Sequence, residues 1–415
     1  MGMAHSWRAD ENKRLARLFL KPQASRYLGL VRVAEACLRP ITNLFPPRPW
    51  DKTRGVEKIL VFDPGALGDM LLLAPFLRRL RGSFPTSRIV LAGRGGPADF
   101  LQEQGLVDEC ISVEVPWTKR KTSRLQRNQP ISWRWKEFFR SLRQLRKREF
   151  DLGFAAGWGG DIRGNLAIWL AGARRRVGYG YAGGEFLLTD VVEADLTRPH
   201  VVDRNLQLLE RLGVESARQP VVPLQIPAAE ARAAREFLAR HGVGEKDLLI
   251  GVHPGAGSAL REWGDDRFAE VARRASDQFG AKILWFNDPE KPRRIPADLQ
   301  AIEVAVSFQQ LQAVLSHCQV FLCNDSGPMH VAAALKIPVV AVFGPTQAEW
   351  FRPYGEGHQV VIRNDMWCRP CADRCRWKEP YCMRLITVEQ VMEAITIIVN
   401  DTTQNRVLYL RAAGD

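Results

Sequence analysis

No run of apolar residues in this sequence approaches the ~20 needed to cross a bilayer as a helix, so no membrane span is expected. The first twenty residues lack a continuous apolar core before a cleavage site and carry Arg8, Asp10, Glu11, Lys13, Arg14 and Arg17, so no cleaved secretory leader is expected either. Cysteine is sparse, with eight in 415 residues. Four of them, Cys37, Cys110, Cys318 and Cys323, are scattered singly, which suits a reducing compartment better than a disulfide scaffold. There is no short-period repeat and no low-complexity tract, which argues against a solenoid and against wholesale disorder.

What is present is a globular balance of 46% hydrophobic and 25% charged residues, long enough for two α/β domains. The formal net charge of +13 favours anionic partners: nucleic acid, anionic lipid headgroups or phosphorylated substrates. It does not choose among them, and a generally basic surface is the plainer reading.

Residues 1–54 read as a basic amphipathic extension. Leu15, Leu18, Phe19, Leu28, Val31, Ala34 and Leu38 recur at helical spacing among arginines, until Pro46, Pro47 and Pro49 break the pattern. Such a helix lies on an anionic membrane surface or packs on the protein's own body. From Lys58 strands alternate with helices: strands over Lys58–Asp63, Arg88–Ala92 and Asp151–Ala155, with an apolar helix to about Arg81. The basic stretch 119–148 holds a helix whose stripe is Trp135, Phe138, Phe139, Leu142 and Leu145, its arginine face turned to an anionic surface. Three prolines in Pro220–Pro227 mark a linker. A second series follows, with strands over Leu248–Val252, Lys282–Phe286, Val320–Cys323 and Val339–Phe343 and helices over Asp266–Phe279 and Met329–Leu335. Strand–helix alternation predicts parallel, doubly wound sheets in two Rossmann-like domains, 55–222 and 223–400, with 401–415 as a tail.

Three strand-to-helix turns carry the chemistry. The first is Gly65-Ala66-Leu67-Gly68-Asp69. Its glycines let a substrate approach the backbone, and Asp69 could accept a proton from an acceptor hydroxyl or simply cap the helix. The second is His253-Pro254-Gly255-Ala256-Gly257-Ser258, followed by Arg261. It is neither a P-loop nor G-x-G-x-x-G, which disfavours a dinucleotide redox cofactor. Small residues leave its amides open, and Arg261 can grip phosphate oxygens in a fork; a structural turn is the alternative. The third is Asn324-Asp325-Ser326-Gly327-Pro328-Met329-His330. Asp325 or Ser326 would cap the next helix and Pro328 suits its first turn. Capping does not account for His330, which with open amides and the helix dipole makes a diphosphate cradle.

These three motifs, in this order and at these separations, resemble glycosyltransferase family 9, the ADP-heptose:lipopolysaccharide heptosyltransferases. Pro75–Pro85, Arg176-Val177-Gly178-Tyr179 and His200–Gly213 add to the likeness, which runs from about Lys58 to Val391 and leaves Met1–Glu57 outside. The resemblance implies a GT-B fold with the active site in a cleft between the domains, and metal-independent, inverting transfer. It also implies an N-terminal acceptor domain and donor binding mostly by the C-terminal half. Asp69 matches the family's catalytic base. Arg261 stands where the family usually has a phosphate-binding lysine, so the charge is kept and the geometry changed. Asp325, Ser326, Gly327 and His330 match the donor loop, and Glu290 is a looser match to an acid that contacts the ribose. Gly68, His253, Gly255 and Ser258 complete the expected donor set.

Cys368, Cys371, Cys375 and Cys382 are clustered and could hold a structural zinc, with free thiols as the plainer reading. No cofactor is expected for catalysis. The sequence thus predicts a cytoplasmic enzyme, peripheral on the inner face of the membrane, moving heptose or a related sugar onto a glycolipid; nucleic acid is not expected as a partner. A same-fold nucleotide-sugar epimerase, which needs no acceptor, is one alternative. A non-enzymatic basic protein that binds lipid or nucleic acid is the other.

Overall fold

Lys58–Asp63 is a strand whose residues are buried on both faces after the first. Such continuous apolar runs belong to parallel sheets covered by helices on each side. In the computed structural model, residues 55–116, 131–157, 162–181, 183–195, 197–215, 224–289 and 291–412 are described, with only the backbone described for 131–132 and 402–412. The extension 1–54, the start of the basic stretch 119–148, Glu290 and residues 413–415 lie outside the described residues.

The chain divides into two compact units, Met1–Gln219 and Pro220–Asp415. The first contains β1 (Lys58–Asp63), α1 (Leu67–Ser83), β2 (Arg88–Gly93), α2 (Pro97–Glu103), β3 (Glu109–Ser112), α3 (Ile131–Arg146), β4 (Leu152–Ala155), α4 (Ile162–Leu170), β5 (Arg175–Tyr179), β6 (Asp190–Val192) and α5 (Val201–Glu210). The second contains α6 (Ala228–Arg240), β7 (Leu249–His253), α7 (Asp265–Phe279), β8 (Lys282–Phe286), β9 (Ala301–Val304), α8 (Phe308–Leu315), β10 (Val320–Asn324), α9 (Gly327–Ala334), β11 (Val339–Phe343), α10 (Ala348–Phe351), β12 (Gln359–Ile362), α11 (Tyr381–Arg384) and α12 (Val388–Ala412).

Each unit builds one six-stranded sheet, in the orders β3-β2-β1-β4-β5-β6 and β12-β11-β10-β7-β8-β9. Every pairing is parallel. Numbered within its own unit, each sheet has the doubly wound order 3-2-1-4-5-6. The strand order reverses between β1 and β4 in one unit and between β7 and β10 in the other. Ligands in such sheets bind beyond the carboxyl ends of the strands at that reversal, and all three sequence motifs begin there.

Local chemistry explains the element ends. Asp265 and Asp266 occupy the first turn of α7, where negative charge meets the positive end of the helix dipole. Gly280 ends the same helix in the left-handed conformation, φ 64°. Two expectations need correction. The helix α12 runs on to Ala412, so residues 401–412 continue a helix rather than forming a separate tail. On α3, Phe138, Leu142 and Leu145 enter the core, but Trp135 and Phe139 stand out at 42% and 51% exposure. The apolar stripe is wider than the surface available to cover it, and the two exposed rings stack on each other, centroids 5.8 Å apart.

Candidate active site

In the first unit the reversal is occupied by carboxylates and glycines. Asp63, the last residue of β1, is only 2% exposed. Its Oδ1 accepts the Gly65 N–H at 2.8 Å, and its Oδ2 is buried with no hydrogen-bond partner among the described residues. Burial, and then the negative charge of Asp69, push its carboxyl up to about 7, partly offset by the Gly65 N–H. Asp69 lies in the first turn of α1, half-buried, and its Oδ2 accepts the Ala66 N–H at 2.6 Å. The carboxylate therefore does cap the helix, as the plainer reading held. One cap uses one of roughly four lone-pair sites on a carboxylate, so capping and base catalysis are compatible.

Glycine is required between these two acids. A Cβ on Gly65 would stand 2.5 Å from Asp69 Cβ and 2.9 Å from both Asp63 Oδ1 and Asp69 Oδ2. Across the reversal, Gly157 follows β4 at φ +86°, and a Cβ there would meet the Asp63 carboxylate at 2.7–2.9 Å. Its N–H donates to Asn205 Oδ1 at 2.9 Å. Asn205 is buried on α5, within the segment His200–Gly213, so that segment braces the glycine that contacts Asp63. The sequence reading missed Asp63, Gly157 and Asn205. Only Asp63 left a signal: an acid closing an otherwise apolar strand.

In the second unit Asn324, fully buried at the end of β10, ties the two loops of the reversal together. Its Nδ2 donates to the Pro254 carbonyl at 2.6 Å, and its Oδ1 accepts the Trp263 N–H at 3.2 Å. The next residue, Asp325, is 4% exposed. It accepts from Thr346 Oγ1 at 2.7 Å and from Arg261 Nη1 at 3.1 Å, so two residues expected at the donor site do meet. The other edge of the guanidinium is held by Asp373, with Nε donating to Oδ1 at 2.9 Å and Nη2 to Oδ2 at 2.6 Å. Asp373 was not foreseen; it lies 112 residues from Arg261, between two of the clustered cysteines.

The remaining donor candidates take distinct roles. Ser258 caps the short 3-10 turn Ala259–Arg261, accepting the Leu260 N–H at 3.4 Å. Gly255 packs on His253, where a Cβ would stand 3.1 Å from the ring. Burial and the nearby Arg293 cation push His253 down to about 4, so near neutral pH it is an uncharged imidazole and not a phosphate-binding cation. Ser326 occupies the N-cap of α9 but makes no capping bond, which corrects the expectation for that residue. Its Oγ is buried with no partner among the described residues. Pro328 lies in the first turn of α9 as expected, and His330 is buried in the same helix. Gly68 lies in the first turn of α1, in the other unit, half-buried beside Asp69.

The cysteine cluster is close enough for its thiols to influence one another. Burial pushes Cys382 up to about 11, opposed by Arg369 and reinforced by Cys371, Cys368 and Cys375. Yet among the described residues no three His, Cys, Asp or Glu side chains are gathered to hold a metal ion. Cys368, Cys371, Cys375 and Cys382 stand as free thiols.

Two doubly wound units, each with a polar cluster at its reversal, make a GT-B architecture. The family model described as glycosyltransferase family 9 (heptosyltransferase) matches residues 138–381, more than half of the chain. Lipopolysaccharide heptosyltransferase 3 of Escherichia coli is 25% identical over 353 residues, covering 81% of this chain and 97% of that protein. Among solved structures, the family 9 glycosyl transferase of Veillonella parvula DSM 2008 superposes with a TM-score of 0.65 at 23% identity, covering 84% of this chain and 98% of that one. The ADP-heptose lps heptosyltransferase II of E. coli gives 0.61 at 21% identity, covering 83% and 99%. These last two likenesses concern the fold. The matched motifs, the paired sheets and the family match together make this chain an enzyme that transfers sugars and a member of glycosyltransferase family 9.

Proposed function

We propose that the protein transfers a heptose, or a closely related sugar, from ADP-heptose to a lipopolysaccharide-type glycolipid with inversion at the anomeric carbon. Asp69 takes the proton of the acceptor hydroxyl as its oxygen attacks that carbon. The bond from the anomeric carbon to the diphosphate oxygen breaks, and ADP leaves with the electron pair. The leaving diphosphate gains charge as it departs. Arg261, the Ser326 hydroxyl, His330 and the open amides at the start of α9, from Gly327, stabilise that charge. Asp325, itself bonded by Thr346, and Asp373 hold Arg261, and Gly255 and Ser258 shape the adjoining turn. His253 contributes as a neutral hydrogen-bonding group. Glu290 would serve the ribose.

The observation that carries this reading is the pair of buried, glycine-lined polar clusters at the two strand reversals. One is built around two carboxylates and the other around a cation and a helix start whose N-cap side chain makes no capping bond. The test is mass spectrometry of a heptose-deficient glycolipid incubated with purified protein and ADP-heptose. One added heptose per acceptor, with release of ADP, is expected. Loss of ADP-heptose to an isomer without acceptor would instead make the protein an epimerase.

No metal takes part in this scheme, because the leaving charge is met by Arg261 and helix amides. Transfer is therefore expected to proceed at an unchanged rate, within about twofold, after exhaustive treatment with EDTA; a loss of tenfold or more restored by a divalent ion would refute this part. The acceptor lies at a membrane, and no described helix is long and apolar enough to cross one. Attachment at the cytoplasmic face is proposed to use α3, where exposed Trp135 and Phe139 share the helix with exposed Lys136, Arg140 and Arg143. Binding to phosphatidylglycerol vesicles should weaken with salt and fall severalfold in a Trp135→Ala/Phe139→Ala variant, read by co-sedimentation. Retained binding in that variant would move the attachment elsewhere. Nucleic acid has no place in this reaction.

A further inference from the structure

Asp63 has no assigned part in the reaction above, and its surroundings are unusual for an acid. It ends a buried strand at the reversal of the first sheet. Gly65 and Gly157 crowd its carboxyl from two sides. One oxygen is buried with no partner among the described residues. Asp63 Oδ1 and Asp69 Oδ2 each lie 2.9 Å from the point that a Cβ on Gly65 would occupy, so the two oxygens are within about 6 Å of each other.

We propose that Asp63 is a positioning residue for transfer: it forms with Asp69 a carboxyl pair that shares one proton, and by keeping that proton it leaves Asp69 ionised as the base. The proposal rests on Asp69 being the base. Two carboxylates this close resist joint ionisation, and the proton settles on the one that water reaches least. Asp63 is almost wholly buried and Asp69 half-buried, so the assignment within the pair follows from exposure. The charged group acting on Asp63 among the described residues is Asp69, from α1. The strand and loop neighbours that close on it, Gly93 from β2 and Gly157 after β4, cannot ionise, and Asn205 behind Gly157 is neutral.

The sign follows. While Asp63 is protonated, Asp69 is a base beside a neutral neighbour. When pH rises through the Asp63 transition, near 7, a second negative charge appears within about 6 Å of Asp69 and favours the removal of a proton from the acceptor hydroxyl. Turnover at saturating substrates is then expected to rise severalfold between pH 6 and pH 8.

Asp63→Asn is the test, because asparagine keeps a carbonyl for the Gly65 N–H and imitates the protonated acid. The variant should match the wild type within about twofold at pH 6 and lack the rise toward pH 8. A rise that persists in the variant, or an equal loss at every pH, overturns the proposal; the latter would mean that Asp63 only supports the fold. A second measurement does not depend on that variant folding. In protein labelled with carboxyl-¹³C aspartate, one resonance should titrate near 7 and move to lower pH in Asp69→Asn, where the neighbouring charge is gone. Absence of that coupling also overturns it. If Asp69→Asn keeps near-normal turnover, the base assignment itself has failed. If it is inactive while Asp63→Asn behaves as wild type across pH, only the present inference has failed.

Discussion

Asp69→Asn is expected to lower turnover by about a hundred- to ten-thousand-fold while leaving binding of ADP-heptose within about twofold of the wild type. Asparagine can still accept the Ala66 N–H through its carbonyl, so the start of α1 keeps its cap and the fold is preserved. What disappears is the capacity to take a proton as the acceptor oxygen attacks. A general base of this kind is worth roughly 3–5 kcal/mol of the barrier, at about 1.4 kcal/mol per tenfold in rate. Apart from Gly68, the proposed donor-binding groups lie in the other unit of the chain and keep their side chains in this variant. Single-turnover product formation, set beside isothermal titration with ADP, separates the two effects. Turnover within tenfold of the wild type would remove Asp69 from the base position.

A loss of comparable size is expected at Arg261. Replacing it with methionine, which keeps most of the side-chain bulk, should reduce kcat/KM by about a hundred- to a thousand-fold, the usual effect of removing one stabiliser of a leaving oxyanion. The same change should lower stability, because Asp325 and Asp373 both lose their cation. Asp325 is nearly buried and keeps only Thr346 among the partners described above, whereas the Asp373 side chain remains 25% exposed and water relieves it in part. The penalty is therefore set at about 1–3 kcal/mol, below the full cost of breaking a buried pair. Arg261→Lys, which restores the charge without the fork, should recover part of the activity and not all of it. The guanidinium currently bridges two carboxylates with both of its edges, a geometry an ammonium cannot reproduce. Equal activity of the lysine and arginine forms would show that only the charge matters.

Both predictions depend on how the two carboxylate clusters are built, and the clusters differ in kind. In the first unit burial, and then the negative charge of Asp69, raises the affinity of Asp63 for a proton. In the second unit each acid faces Arg261. In the proposed reaction the like-charged pair serves proton transfer, and the oppositely charged cluster serves to hold and release an anion.

The sequence by itself determined the alternation of strands and helices, because buried parallel strands must be runs such as KILVFD and VVAVF. It also placed all three motifs on turns at carboxyl strand ends, since glycine, proline and capping residues act within a few positions of themselves. The strands β3 and β12 escaped notice because edge strands are short and only half-buried, which leaves no strong apolar run. The proton-bearing role of Asp63, the brace from Asn205 to Gly157 and the clasp of Asp373 on Arg261 were decided only by the tertiary structure. The last two join groups far apart along the chain, 48 residues in one case and 112 in the other. A carboxyl group's affinity for its proton depends on what water and charge surround it, and that surrounding exists only once the sheets have assembled.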